Sequence, residues 1–271
     1  WVIVVEATVL IASVALILGH AVWFGRREDR NRPLRQAARL AVAAGFDELT
    51  VESGDALNSL PRREQIRMLA SVAPGLGGKQ REWLTEIAEN LGLIDWAAHQ
   101  CQSKRWNRRL QGVRLFTLTG GGDESAPQMT RDSHPRVRAA AAQWISENPT
   151  TDSINLLVNL LSDESNLSRF AAKDGLLRIG EPAVESLAEY LSSASGVGII
   201  EALESAVSMA DSRLLEPALN LSNSDDLDVR AGAADLLGAI GGDNAVNRLI
   251  GMQNDPNSAV RVAVARALGK I

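Results

Sequence analysis

Few residues of this 271-residue chain have the type and spacing for covalent chemistry. The stretch APGLGGKQ (73–80) has the glycines and lysine of a loop whose backbone N–H groups cradle phosphate. It carries Ala73 where such a loop needs glycine and Gln80 where it needs a hydroxyl, so it reads as a turn between helices. The histidines His20, His99 and His134 lie in unlike contexts and cannot supply a histidine-rich metal site. Cys101 is the one cysteine. It excludes an internal disulfide, fits a reducing compartment, and has no legible activating partner. No nucleophile–histidine–acid set is present, so the chain reads as a binder rather than an enzyme, with no cofactor and no metal.

The charged residues are more informative, because they recur. Asp precedes Arg by six residues at Asp132 and Arg138, Asp163 and Arg169, and Asp255 and Arg261. Arg230 has Ser224 at that place, with Asp225 beside it. An aspartate at a helix entrance caps free N–H groups, and an arginine can pair with it or with the next aspartate along. The pattern is read as a structural ladder rather than a ligand-binding acidic row. A basic cluster, Lys104, Arg105, Arg108, Arg109 and Arg114 around Trp106, has no acid between Asp95 and Asp123. It is either a surface for anionic headgroups or an acidic partner, or a solvated face.

The elements that position these residues repeat. Six anchors fall near 108, 138, 169, 199, 230 and 261, at spacings of 30 or 31. Each unit predicts a first helix with small or apolar residues at +3, +6, +7 and +10, for example Ala233, Leu236, Leu237 and Ile240. Glycine follows, as at Gly180 or Gly241, where a helix ends in the left-handed region. A second amphipathic helix completes the pair, and neither helix can bury its stripe without a neighbouring unit. The unit at Ile199 has lost the arginine and has Ser193 in the aspartate position, so it is expected to be the least regular. The second helices align a column of polar residues: Asn155, Asn159, Glu185, Glu189, Glu216, Asn220 and Asn247. This column is the candidate partner-binding ridge, expected on the concave side of the stack.

The segments DSHPRVRAAAA (132–142), DESNLSRFAAKDGLLRIG (163–180), DVRAGAADLLGAIGG (228–242) and DPNSAVRVAVARALGKI (255–271) carry a resemblance. They are similar to bacterial HEAT-like repeats of the type found in phycobilin-lyase-like proteins. The resemblance covers residues 104–271 and implies an all-α fold, an α-solenoid of HEAT-like helix pairs. It implies a binding or scaffolding role, and the lyase activity of some relatives is not carried over. Residues 26–103 are expected to form a basic flank and an atypical helical cap, with helices over 33–45, 61–77, 79–92 and 94–101. Pro33 and Pro61 suit first-turn positions.

Residues 1–25, WVIVVEATVLIASVALILGHAVWFG, predict a single transmembrane helix ahead of the solenoid. At 1.5 Å per residue they span about 37 Å, enough for the hydrocarbon core. Arg26, Arg27, Arg30, Arg32, Arg35 and Arg39 follow, against Glu28 and Asp29, which places the rest of the chain in the cytoplasm. A cleaved leader would carry its charges before the apolar run. Glu6 either faces a partner within the membrane or snorkels to the interface. The first 138 residues carry a net +4 and the remainder a net −9, within a total of −5. That balance makes nucleic acid a poor partner.

The anchor, arginine-rich flank, cap and repeats together resemble a class of bacterial membrane HEAT proteins encoded beside glycosyltransferases for surface polysaccharide. The expected function is therefore a scaffold or accessory subunit of another inner-membrane protein, with a glycosyltransferase and lipid headgroups as implied partners. Two other readings stand beside it: an adaptor recruiting a soluble basic partner or nucleic acid to the membrane, and a lyase-like enzyme.

Overall fold

A computed structural model describes residues 57–193 and 196–271. The expected membrane helix, Glu6, the Arg26–Arg39 flank and the helix over 33–45 lie outside the described residues. No helix among the described residues is long and apolar enough to cross a membrane. Those residues hold thirteen α-helices and no strand, as alanine-, leucine- and arginine-rich segments with few β-branched runs dictate.

The chain divides into two units, one ending at Leu93 and one beginning at Ile94. The first contains α1 (Arg62–Val72) and α2 (Lys79–Asn90), joined by a 3₁₀ turn at Ala73–Gly75 in the segment that imitates a phosphate loop. Pro61 sits one residue before the helix, as its N-cap with ψ 143°, rather than in the first turn. Met68, Leu69, Trp83, Leu84 and Ile87 form the apolar stripe of this unit.

Next come α3 (Leu93–Cys101) and α4 (Trp106–Thr119), then α5 (Pro135–Glu147) paired with α6 (Thr151–Asn159). Two further pairs are α7 (Asn166–Ile179) with α8 (Val184–Ser193), and α9 (Val197–Met209) with α10 (Leu215–Leu221). The last are α11 (Leu227–Ile240) with α12 (Asp243–Gly251), and finally α13 (Ser258–Leu268). First helices stack on first helices, α4 through α13, and second helices on second helices, α6 through α12. The second element of the α4 unit is only a 3₁₀ turn at Pro127–Arg131, which packs on α5 and α6.

The stripe that holds this stack is continuous. Ala141, Trp144 and Ile145 of α5, Ala172 and Leu176 of α7, Ala202 and Ala206 of α9, and Ala233, Leu236 and Leu237 of α11 are all 2 % exposed or less. Small residues on facing helices let the backbones approach closely. A Cβ added at Gly238 would lie 2.7 Å from the Ala267 Cα, so that position between α11 and α13 tolerates only glycine. Leu157, Leu187, Ala218 and Leu249 supply the inward stripe of the second helices, each fully buried.

The first anchor is Arg109, not Arg108. Counting from Arg109, the +3, +6 and +7 places are Gly112, Leu115 and Phe116, all buried; counting from Arg108, they include Gln111 and Arg114, both exposed. The α4 unit is shorter because its second element is a 3₁₀ turn, so its anchor precedes the next by 29 residues rather than 31.

Candidate functional site

Each ladder arginine sits in the first turn of a first helix and turns back toward the loop before it. The Arg109, Arg138, Arg169, Arg230 and Arg261 guanidiniums each donate through Nη1 to the main-chain carbonyl six residues earlier, at 2.7–3.0 Å. The remaining edge reaches forward. Arg109 forks Asp132 at 2.5 and 2.7 Å and Arg230 forks Asp255 at 2.8 and 3.1 Å, while Arg138 donates through Nη2 to Asp163 at 2.7 Å and holds its Nε in an ion pair 2.6 Å from the same carboxylate. Arg261, in the last first helix, keeps its carbonyl contacts to Asp255 and Pro256.

The same aspartates close the turns they occupy. Asp132, Asp163 and Asp255 each accept, at 2.8 Å, the backbone N–H two residues on, from His134, Ser165 and Asn257. One carboxylate therefore fixes a helix entrance and receives the previous unit's arginine. Burial alone would raise the carboxyls of Asp132 and Asp163. Their arginine and backbone N–H bonds outweigh it and hold both below the usual range. Asp255 is lowered chiefly by its bond to Arg230. These charges are consumed by the fold.

The fourth unit interrupts the series. Ser193 stands where an aspartate would meet Arg169, and Arg169 turns to Glu201 on α9 at 3.2 Å and to Asn166. Lys173 joins the same cluster, bonding Glu201 at 2.8 Å and Glu204. Burial opposes, and the two cations outweigh it, so the Glu201 carboxyl is held below its usual range. At the next junction Ile199 replaces the arginine and Ser224 the aspartate. A concavity of about 430 Å³ lies there, with Leu191, Ile199, Asn220, Ser224, Asp226 and Val229 in its walls.

The predicted ridge residues Asn155, Asn159, Glu185, Glu189, Glu216, Asn220 and Asn247 are all exposed on the second helices. Among the described residues, none of the three ridge glutamates has an ion pair and none of the four ridge asparagines a side-chain hydrogen bond. The first helices present a different surface: Leu167, Phe170 and Leu177 of α7 are exposed, Phe170 at 70 %.

The basic cluster is divided by the fold. Arg109 is committed to Asp132, while Lys104, Arg105, Arg108 and Arg114 are exposed. Trp106 lies flat on His134, with ring centroids 3.9 Å apart and planes 4° apart, and Arg136 sits over the same indole at 5.7 Å. This stack was not legible, because His134 and Trp106 come from successive units. The Trp144 indole N–H donates to the Gly121 carbonyl at 2.9 Å, which gives the Gly120–Gly122 run a packing role. Cys101 is buried, and that burial, with Asp132 adding and Arg109 opposing, pushes its thiol up to about 11, away from nucleophile chemistry at neutral pH. No cluster of three or more His, Cys, Asp or Glu among the described residues could hold a metal ion.

The HEAT repeat family profile matches residues 124–208 and 214–271. No curated protein matches in sequence. Among solved structures, the chain is similar to human deoxyhypusine hydroxylase in complex with glycerol, at 19 % identity, covering 87 % of this chain and 97 % of that one, with a TM-score of 0.38. It is similar to Kap121p at 14 % identity over 90 % of this chain and 34 % of that one, TM-score 0.46. It is similar to computationally designed armadillo repeat proteins for modular peptide recognition at 18 % identity, over 80 % and 98 %, TM-score 0.36. With the family profile covering more than half of its length, the chain belongs to the HEAT repeat family.

Proposed function

We propose that this protein is a binding scaffold whose contact surface is the ridge of its second helices. One observation carries the reading. Arg109, Arg138 and Arg230 of the first helices are paired with Asp132, Asp163 and Asp255 of the loops, whereas Glu185, Glu189 and Glu216 are exposed in one column and have no ion pair among the described residues. A row of Asn and Glu offers hydrogen bonds and negative charge, which suits a polar or basic helix or loop. The net −9 beyond residue 138 favours the same partner charge.

The finer reading rests on the sequence. Residues 1–25 tether the scaffold in the inner membrane with its repeats in the cytoplasm, and the partner is an integral membrane protein, a surface-polysaccharide glycosyltransferase. Lys104, Arg105, Arg108 and the Arg26–Arg35 cluster then face lipid headgroups. Replacing Glu185, Glu189 and Glu216 together by Lys, and purifying the chain from mild detergent, tests the ridge. The expected result is loss of the membrane partner with an unchanged melting temperature. Retention of the partner overturns it.

The exposed Phe170 favours a second contact surface on the first helices. If Phe170→Ser releases the partner and the triple change does not, contact is made there. A soluble partner in the same purification supports the adaptor reading in place of the accessory subunit.

A further inference from the structure

An intact rung has three parts: a guanidinium from one unit, the carbonyl six residues before it, and a carboxylate from the next unit. At the junction of the fourth and fifth units the first and last are missing together. Ile199 holds the anchor place and is buried at 6 % exposure; Ser224 holds the carboxylate place. The result is the concavity of about 430 Å³, within the size range of small-ligand pockets. Leu191, Ile199 and Val229 supply apolar wall, and Asn220, Ser224 and Asp226 supply oxygen.

The cations of the neighbouring units are committed elsewhere: Arg169 to Glu201, Arg230 to Asp255, Arg248 to Ser222 and Asn223. Asp226 spends one carboxylate oxygen on the Asp228 N–H at 2.8 Å. Its other oxygen, and the Asn220 amide, make no hydrogen bond among the described residues. Asn220 also belongs to the ridge, one turn beyond Glu216, so the concavity opens beside the acidic column.

We propose that this gap seats an arginine side chain supplied by the bound partner, which completes the missing rung from outside. The proposal rests on the ridge reading, because the ridge brings the partner to the gap. The chemistry selects arginine. Its methylene stem covers the apolar wall, while its planar fork meets the Asp226 carboxylate and the Asn220 carbonyl together. Lysine would offer a compact ammonium without the rigid planar fork that holds both acceptors at once.

The test uses the full chain in detergent micelles and acetyl-arginine-N-methylamide as probe, read by amide chemical shifts at Asn220, Ser224 and Asp226. Saturable shifts are expected with the arginine probe, with weaker binding of the lysine analogue and none of the citrulline analogue. Asp226→Asn keeps the helix cap and should weaken the probe by about tenfold, the scale of a lost charged hydrogen bond. Ile199→Arg combined with Ser224→Asp closes the rung from within, and should abolish the shifts without lowering the melting temperature. An equal response to citrulline, or shifts that survive Asp226→Asn unchanged, overturns the proposal, and the latter holds even if the double variant does not fold. A silent probe combined with partner loss on the triple glutamate change sinks the gap alone. Probe binding combined with partner retention after that change sinks the ridge alone.

Discussion

The junction between α5 and α7 and the junction between α9 and α11 are built from the same stripe but not from the same charges. Across the first, Arg138 pairs with Asp163, both side chains about one-tenth exposed. Across the second, Ile199 and Ser224 face a concavity. Yet Ala202 and Ala206 are as buried as Ala172 and Leu176, and α9 packs on α11 as α5 packs on α7. The apolar stripe therefore makes the stack, and the rung is an addition that fixes how one loop meets the next. That fits the energetics: buried apolar area is strongly favourable, whereas a buried ion pair about offsets its own desolvation.

The largest effect should come from breaking what the two junctions share. Leu237→Asp places a carboxylate at a fully buried position of α11 with no cation prepared for it. A loss of about 4 kcal/mol or more is expected, seen as collapse of the cooperative melt by circular dichroism. Near-wild-type melting would mean that the stripe does not carry the stack.

The next effect separates the two junctions. Arg138→Ala leaves the Asp163 carboxylate without its cation in a largely buried place, and about 3 kcal/mol should be lost in chemical denaturation. Arg261→Ala removes an exposed arginine that has no forward carboxylate, and the change should stay within about 0.5 kcal/mol. Equal losses would show that the carbonyl contact, common to both, is the stabilising part.

Acid provides a smaller, distributed test. Asp132, Asp163, Asp255 and Glu201 are all held below their usual range in the folded chain. Their contribution is present above the unfolded carboxyl values of about 4. It is lost as pH falls through the lower folded values, because only the unfolded chain takes up protons readily in between. The melting temperature should therefore fall on acidification below about pH 4. The fall should be shallower in Asp163→Asn. A wild-type protein insensitive to that range would contradict the ladder geometry.

Much of this architecture was legible because it repeats. The buried stripe, the glycine terminators and the exposed second-helix column all follow from one register applied along the chain. The slip at the first anchor came from tandem arginines, Arg108 and Arg109, which are chemically alike. The stripe test decides between them, since Gly112 and Leu115 are small or apolar while Gln111 and Arg114 are polar. The forward direction of each fork was open in the sequence, because an aspartate six residues before an arginine and one 25 residues after it are equally charged. The gap between the fourth and fifth units follows from two absences in the register, but its volume depends on how Ile199 packs, which spacing does not encode.

A small gain in stability is expected at the helix end of the irregular unit. Eleven residues after their anchors, Gly120, Gly180 and Gly241 end their helices at φ of 84°, 68° and 70°. The matching residue of the fourth unit is Ala210, at φ 51°, the only non-glycine with positive φ among the described residues. It is a left-handed cap whose N–H reaches the Ala206 carbonyl at 2.9 Å. An alanine there costs roughly 1–2 kcal/mol of backbone strain, because its Cβ crowds the carbonyl. Ala210→Gly removes that strain but gives the unfolded chain more freedom, a loss of about 0.4–1 kcal/mol. The net expected is a gain of about 0.5–1 kcal/mol in urea denaturation, with the slope of the transition unchanged. Gly180→Ala and Gly241→Ala should lose more, since their ψ of −130° and −164° at positive φ lie in a region that is essentially glycine-only. If Ala210→Gly destabilises, the fourth unit holds its cap by packing rather than by backbone geometry, and its irregularity extends beyond the missing charges.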